Sequence, residues 1–156
     1  MSINEWSDAT AMTEAVQNKT VSPRELVEAT IREAERTNPK INAIVSQRYE
    51  KAIEEAETRD FSDKPLLVSQ FLRLVRSKLV SRQQRVLAYL QVIGLRKRIN
   101  YVKKLEELGF IILGRSSTPE FGFKNISDAQ IHGPVNLPDD VRRNAGGSSG
   151  GAAALV

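Results

Sequence analysis

The sequence predicts an α/β layered domain, in which helices pack around a sheet. Residues 110–113 form a continuous apolar run, which is typical of a buried strand. Residues 101–108 precede this run with apolar side chains at helical spacing, and Gly109 stands where that helix is expected to end. The N-terminal third also carries helical apolar stripes. A helix followed at once by a buried strand, after several other helices, indicates the layered class.

The long N-terminal helix is predicted from its start and stop signals. Ser22 and Glu25 form a capping box around Pro23, which is favoured at the first helical position. Asparagine followed by proline at residues 38–39 is predicted to end the helix. The other elements predicted in this region are a short helix capped by Asp8 that runs to about residue 17, a strand at 41–45 and a helix at 48–59.

The composition limits the possible functions. A chain of 156 residues with 40% hydrophobic and 27% charged side chains is long enough for one globular domain. It has no cysteine, and a single histidine, His132, forms no histidine cluster, so no metal site of these residue types is expected. We expect no other cofactor either. We expect His132 to be a loop histidine rather than a catalytic one. Neither a signal peptide nor an apolar run of membrane-spanning length is evident, so we expect a cytoplasmic protein without a membrane partner.

A glycine- and serine-rich stretch, residues 146–151, is the main candidate for a functional site; we call it the Gly/Ser loop. Glycine has no Cβ, so main-chain N–H groups in such a loop are able to converge on an anion or an oxyanion. A helix-favouring alanine run follows, and a helix start adds unpaired N–H groups. Serines held there are placed for acyl or phosphoryl chemistry. The alternative is a flexible linker, a common role of such tracts.

Several motifs together resemble the amidase signature family. They are NPKINA at residues 38–43, GFIILGRSSTPEFG at 109–122, GPVNLP at 133–138 and NAGGSSGGAAA at 144–154. The resemblance covers residues 1–65 and 100–156, roughly the first third of a typical member. It implies a single partial amidase domain over residues 1–156, the N-terminal part of a fold with helices around a mixed sheet. It also favours a catalytic loop over a linker.

The resemblance further implies a chemistry. Family members hydrolyse C–N bonds of small-molecule amides with a Ser–Ser–Lys triad and without a metal. A distal serine attacks the carbonyl, a second serine beside a cis peptide bond relays its proton, and a buried neutral lysine is the base. Ser148 matches the relaying, or bridging, serine. The residues that match the loop around it are Gly146, Gly147, Ser149, Gly150 and Gly151.

Two of the three triad groups have no match in this sequence. The attacking serine of the family lies in a D-[ST]-G-G-S segment beyond the Gly/Ser loop, and residues 1–156 contain no such segment. The family's lysine lies on a strand of the type G-V-P-x-x-x-K, expected just after Pro65. This sequence instead has LLVSQFLRLV at residues 66–75, and the surroundings of Lys78 do not match either. We therefore expect an amidase-type chain that is inactive as it stands.

Residues 66–99 form an aberrant basic segment inside the domain. Eight of the 23 Lys and Arg residues lie there without any Asp or Glu, which leaves 15 basic and 19 acidic side chains, a net charge of −4, elsewhere. We expect helix rather than strand in this segment, because Leu, Gln, Arg and Lys favour helices. One set of codons for LLVSQF encodes AGVPI when it is read two bases later. The hypothesis is an out-of-frame translation between two compensating frame changes; the alternative is a genuine insertion or a divergent helix.

A genuine insertion would permit a second function. Basic and apolar side chains interleave over residues 71–98, as in an amphipathic helix that contacts nucleic acid, an anionic membrane or an acidic partner. No nucleic-acid-binding motif accompanies this segment, and aromatic residues for base stacking are scarce, so binding of nucleic acid is not expected. The identity of the amide substrate and the oligomeric state are left open by the sequence.

Overall fold

The computed structural model describes residues 9–61, 69–72 and 100–156. Its helices are α1 (Ala9–Gln17), α2 (Pro23–Ile41), α3 (Tyr49–Thr58), α4 (Asn100–Glu107) and α5 (Gly150–Ala153), and its strands are β1 (Ile44–Gln47), β2 (Ser69–Leu72) and β3 (Ile111–Ser116), with a 3-10 turn at Glu120–Gly122. Helices cover a sheet, which confirms the predicted α/β class. No helix among the described residues is both long and apolar enough to cross a membrane.

The strands form a mixed sheet in the order β1–β3–β2. β1 runs antiparallel to β3, with Gln47 opposite Gly114, and β2 runs parallel to β3, with Ser69 opposite Ile111. The central position of β3 explains its apolar sequence, because a central strand covered by helices is largely removed from water.

The core lies between β3 and the helices α2 and α3. Ile111 and Leu113 are two residues apart and therefore on the same face of β3, and both are almost fully buried. Their apolar partners on the two helices are Val27, Ile31, Ala52 and Ala56. The stripe predicted along α2 is thus the face that packs in the core.

Local end signals place α2 and α4 as predicted. The Ser22 hydroxyl accepts the N–H of Glu25 (3.2 Å), and the Glu25 carboxylate accepts the N–H of Ser22 (2.8 Å), so the capping box is complete. Gly109 follows α4 with a φ of 103°, and the N–H of Phe110 donates to the carbonyl of Leu105 at 3.1 Å. These contacts form the Schellman motif that commonly ends a helix at glycine.

The predicted end of α2 at its asparagine–proline pair is wrong, because the helix continues through Pro39 to Ile41. Proline lacks an N–H and so removes one helical hydrogen bond, but the following turn still closes. There the N–H of Asn42 donates to the carbonyl of Asn38 at 2.8 Å. The strand predicted at 41–45 accordingly begins later, as β1.

The expectation of helix rather than strand in the basic segment is wrong for β2. These four residues pair in parallel with β3, and Phe71 lies opposite Gly114. Differences in helix propensity among ordinary residues reach only about 0.7 kcal/mol per residue. The edge of β3, by contrast, presents a row of N–H and C=O groups that a neighbouring strand satisfies. Tertiary pairing therefore outweighs local preference. The predictions for residues 66–68, for 73–99 and for the cap at Asp8 lie outside the described residues.

Two arginines attach α3 to the strand β3 and to the turn before it. Arg48 donates to the carbonyl of Ile112 at 2.6 Å, and Arg59 donates to the carbonyl of Phe110 at 3.1 Å. Glu55 lies between the two guanidinium groups, 2.5 Å from Arg48 and 3.8 Å from Arg59. Because all three side chains are largely buried, this cluster couples the helix to the sheet beside the core.

Candidate active-site loop

The Gly/Ser loop lies at the surface immediately before α5. Ser148 is exposed, and Ser149 is partly exposed. The peptide bond between Gly147 and Ser148 is cis, as the resemblance implies. Of the two serines, Ser148 is thus the one more accessible to a substrate or to a further part of a protein.

The backbone of residues 124–127, which we call the supporting segment, lies directly against the loop. A Cβ added to Gly147 would lie 2.8 Å from the nitrogen of Ile126, and one added to Gly150 would lie 2.8 Å from Cβ of Ser127. Side chains at either position would push the loop away from the supporting segment. The two glycines that flank the serines are therefore required for this close approach.

Hydrogen bonds hold both ends of the loop on the supporting segment. The N–H of Ser127 donates to the carbonyl of Gly146 (2.8 Å), and Oγ of Ser127 accepts the N–H of Gly150 (3.1 Å). Asn144 donates from Nδ2 to the carbonyl of Ser127 (3.0 Å) and accepts the N–H of Gly146 at Oδ1 (2.8 Å). Sequence reasoning missed Ser127 and Asn144. The only local signal was the position of Asn144 close before the glycines, because Ser127 is 23 residues from Gly150.

The expectation that the helix start supplies unpaired N–H groups is wrong for its first two residues. The N–H of Gly150 is bonded to Ser127, and the N–H of Gly151 donates to the carbonyl of Ser117 at 3.1 Å. α5 is only four residues long. These glycines therefore anchor the loop, and their N–H groups are not free for an anion.

His132 lies in a turn at residues 130–132, which agrees with the expectation of a loop histidine. Its N–H donates to the carbonyl of Ala129 (2.9 Å), and its carbonyl accepts from Asn42 (2.7 Å). Nε2 is buried and has no hydrogen-bond partner among the described residues. Burial, and then the positive charge of Arg115, lower the pKa of His132 below its usual range. Its neutral form is thus favoured in the folded chain.

Several apolar side chains close to the supporting segment in sequence are exposed. Four large side chains between residues 121 and 131 are substantially exposed, namely Phe121, Phe123, Ile126 and Ile131. Ile126 belongs to the supporting segment, and its main-chain nitrogen lies directly beside Gly147 of the loop. The exposed side chain of Ile126 is therefore the one of the four that the structure places next to the loop.

The polar side chains in and around the loop include hydroxyls and an amide. Ser127, Ser148 and Ser149 provide hydroxyls, and Asn144 provides an amide. Within residues 9–61, 69–72 and 100–156, no group of three His, Asp or Glu side chains is arranged to hold a metal ion. Hydroxyl groups of this kind relay protons or attack carbonyl carbons, which is the chemistry of acyl transfer.

A family model described as Amidase matches residues 25–156 of this chain. The match spans most of the chain and includes the sheet, the supporting segment and the Gly/Ser loop. The chain therefore belongs to the amidase signature family of hydrolases, which act on amide C–N bonds.

The chain is similar to several curated and structurally determined amidases. It is 32% identical over 155 residues to the 6-aminohexanoate-cyclic-dimer hydrolase of Paenarthrobacter ureafaciens, with 97% of this chain and 31% of that protein covered. It is 35% identical over 158 residues to the lipoamidase of Enterococcus faecalis, and the match covers 97% of this chain and 22% of the lipoamidase. The crystal structure of a bacterial aryl acylamidase matches this chain with a TM-score of 0.76 and 31% identity. The match covers 97% of this chain and 33% of the acylamidase. The chain thus spans about a third or less of the length of these relatives.

Proposed function

We propose that this chain supplies the N-terminal part of a hydrolase that cleaves small-molecule amides by a Ser–Ser–Lys mechanism. Membership of the amidase family supports the reaction class. The observation that carries the proposal within this chain is the anchored Gly/Ser loop. It holds Ser148 at the surface while Gly146 and Gly150, on either side of it, are bonded to one buried residue, Ser127.

In this mechanism Ser148 is the bridging serine. The attacking serine forms a bond to the amide carbonyl carbon and gives its proton to the Ser148 hydroxyl, which passes its own proton to the neutral lysine. The proton then reaches the amine nitrogen as the C–N bond breaks, and water hydrolyses the acyl-enzyme. Such a relay requires hydrogen-bond distances between successive groups, so the backbone around Ser148 must be fixed. Ser149, Gly146, Gly147, Gly150 and Gly151 shape that backbone.

We propose that residues 1–156 alone do not hydrolyse amides. The G-V-P-x-x-x-K pattern of the family is absent after Pro65, and no D-[ST]-G-G-S segment occurs in the sequence. Groups of a catalytic triad act as a unit, and removal of one nucleophile or base from a serine hydrolase costs on the order of a million-fold in kcat. Ser148 by itself therefore leaves an amide intact.

The exposed apolar side chain of Ile126 supports a substrate with an apolar part. Ile126 is 44% exposed and belongs to the supporting segment, whereas the Gly/Ser loop beside it is polar. An amide whose carbonyl meets the loop and whose hydrocarbon part meets Ile126 fits both. The relatives are named as a 6-aminohexanoate-cyclic-dimer hydrolase, a lipoamidase and an aryl acylamidase, and the last two names denote amidases.

The experiment compares residues 1–156 with a longer protein that restores both the lysine strand and the attacking-serine segment of the family. Both are incubated with simple aliphatic and aromatic amides, and the released amine is measured. We expect no turnover from residues 1–156, and turnover from any longer protein that restores the two missing groups. In that longer protein, Ser148→Ala lowers kcat at least about 10³-fold. The control Ser46→Ala, an exposed serine in β1, leaves kcat unchanged. Any amide turnover by residues 1–156 would refute their inactivity, and an unchanged kcat of Ser148→Ala in the longer protein would refute the role of Ser148.

The alternative, a non-catalytic module that binds nucleic acid, an anionic membrane or an acidic partner, is not favoured. The family model covers residues 25–156, a range that includes the basic residues 71–98. Steep loss of RNA or liposome binding with rising salt would be the signature of that alternative. We expect no such binding above the background of a protein with equal net charge.

A further inference from the structure

We propose that Ser127 is a positioning residue of the catalytic loop, and that its buried hydroxyl sets the place of Ser148 through the N–H of Gly150. The proposal rests on the proposed function, because it assigns Ser127 a part in the relay that Ser148 performs. It concerns a residue outside the Gly/Ser motif, and its basis is the hydrogen bonding of the supporting segment.

The contact between Ser127 and Gly150 is buried and close. Ser127 is fully buried. Its Oγ accepts the N–H of Gly150 at 3.1 Å, and a Cβ on Gly150 would lie 2.8 Å from Cβ of Ser127. Gly150 follows Ser148 by two residues, so this bond fixes the chain immediately after the reactive hydroxyl. A hydrogen bond within this contact has no room to be replaced by water.

The main chain of Ser127 holds the other end of the loop. Its N–H donates to the carbonyl of Gly146, and its carbonyl accepts both the N–H of Val135 (2.8 Å) and Nδ2 of Asn144 (3.0 Å). Ser127 is therefore hydrogen-bonded both to Gly146, two residues before Ser148, and to Gly150, two residues after it. Only Gly147, Ser148 and Ser149 lie between these bonds.

The two sets of bonds differ in how they respond to substitution. The main-chain bonds survive any side-chain change, whereas the bond to Gly150 depends on the hydroxyl alone. Without it, the N–H of Gly150 is buried and unsatisfied, so the loop moves to find another partner. A displacement of about 1 Å in a catalytic constellation costs about 100-fold in rate. Substrate binding elsewhere is unaffected, so kcat falls and KM does not.

The chain offers matched variants for the test. Ser127→Thr keeps the hydroxyl group. Ser127→Val gives a side chain of the same shape as threonine, with a methyl group in place of the hydroxyl. Comparison of the Thr and Val variants therefore isolates the effect of the oxygen at nearly constant volume. Ser127→Ala removes the oxygen without adding atoms. Ser116→Ala is the control. Ser116 is 2% exposed, and its hydroxyl has no hydrogen-bond partner among the described residues.

The first measurement is amide hydrogen exchange of Gly150 in the ¹⁵N-labelled 156-residue chain, together with the amide shifts of Ser148 and Ser149. We expect Ser127→Ala and Ser127→Val to speed exchange of Gly150 at least about tenfold and to move both shifts, because the protecting bond is lost. Ser127→Thr and Ser116→Ala keep the original values. If Ser127→Ala does not fold, the Thr and Val variants decide. Equal exchange and equal shifts in the Thr and Val variants would overturn the proposal.

The second measurement is amide hydrolysis by the longer protein that restores the lysine strand and the attacking-serine segment. We expect Ser127→Ala and Ser127→Val to lower kcat about 10- to 100-fold with KM within about twofold, and Ser127→Thr to restore it. Full kcat in the Val variant would also overturn the proposal, although the proposed function would stand. If that longer protein hydrolyses no amide before Ser127 is changed, the proposed function fails, and the exchange of Gly150 still decides whether Ser127 positions the loop.

Discussion

The side-chain amide of Asn42 donates to the carbonyl of His132 at 2.7 Å and to that of Pro134 at 2.9 Å, although these residues are some ninety positions apart in sequence. Asn42 is also the C-cap of α2, with a φ of 52°. The end of the long helix is thereby joined to residues 132–135, which are hydrogen-bonded to the supporting segment through the N–H of Val135 and the carbonyl of Ser127. Asn42 thus connects the helical layer with the candidate site.

Two substitutions of Asn42 separate the contribution of its side-chain hydrogen bonds from that of its left-handed backbone conformation. Asn42→Ala removes both hydrogen bonds, each worth about 1 kcal/mol, and strains a left-handed residue by about 1 kcal/mol, so we expect a loss of about 2–3 kcal/mol in the free energy of unfolding. Asn42→Gly removes the bonds but tolerates the φ angle, and we expect it to lose about 1 kcal/mol less. Urea unfolding measures both. Equal stability of the two variants would show that backbone conformation contributes nothing here.

The close packing of Gly151 predicts a large effect of a single methyl group. A Cβ there would lie 2.6 Å from the carbonyl oxygen of Ser117 and 2.8 Å from that of Ala43, and backbone atoms cannot move aside as a side chain does. We expect Gly151→Ala to destabilise the chain by about 3 kcal/mol. The control is Gly122→Ala, where no atom lies within 4 Å and only the φ of 70° adds strain, about 1 kcal/mol. Comparable losses in both variants would contradict the described packing of the loop.

The cluster around Glu55 predicts a difference between buried and exposed ion pairs. Glu55, Arg48 and Arg59 are 15%, 23% and 25% exposed, so Glu55→Ala leaves two largely buried guanidinium groups without their carboxylate. We expect a loss of about 1–3 kcal/mol in unfolding free energy. The matched control is Glu33→Ala, which breaks an exposed pair with Arg36 on α2 and costs less than about 1 kcal/mol. A smaller loss for Glu55 than for Glu33 would contradict this account.

The lowered pKa of His132 predicts a pH dependence of stability. In the unfolded chain His132 titrates at its ordinary pKa, whereas in the folded chain burial and Arg115 lower that pKa. Above the unfolded pKa both states are neutral and His132 has no effect. As the pH falls below it, the unfolded state takes up the proton first, so stability decreases until the pH passes the folded pKa. We expect His132→Gln to reduce the loss of unfolding free energy between pH 7 and pH 5. An unchanged pH profile in this variant would contradict the prediction.

The origin of the basic segment is testable at the level of DNA. If residues 66–99 result from two compensating frame changes, their codons read two bases later encode a G-V-P strand followed by a lysine. Sequencing of the coding DNA, including the part downstream of the Val156 codon, provides the measurement. Codons that encode no such strand in either alternative frame would support a genuine insertion. The strand β2 lies in this segment and pairs with β3, whichever origin the segment has.

Sequence reasoning succeeded where the deciding contacts are local. The Ser22–Glu25 capping box spans three residues, and the end of α4 at Gly109 depends on hydrogen bonds within a single turn. The buried strand β3 was evident from a continuous apolar run. The family was evident from motifs that each lie within one short stretch, above all the Gly/Ser loop.

Sequence reasoning failed where contacts with residues distant in the chain determine the local structure. Pro39 does not end α2, because the turn after it is closed by Asn42 and is packed by the rest of the chain. β2 is a strand because β3 offers it pairing partners, although its residues favour a helix. Ser127 has no local signal at all, since its side chain acts on Gly150 across 23 residues.

The sequence by itself determined the fold class, the helix caps, the central strand and the family with its Gly/Ser loop, because each of these depends on neighbours in the chain. Only the tertiary structure decided which atoms hold Ser148 in place. The glycines around it have no side chains with which to make contacts, so the position of the loop is set by the main chain of residues 124–127 and by the hydroxyl of Ser127. Those contacts exist only after the sheet and helices have brought the two segments together, and no spacing rule in one chain encodes them.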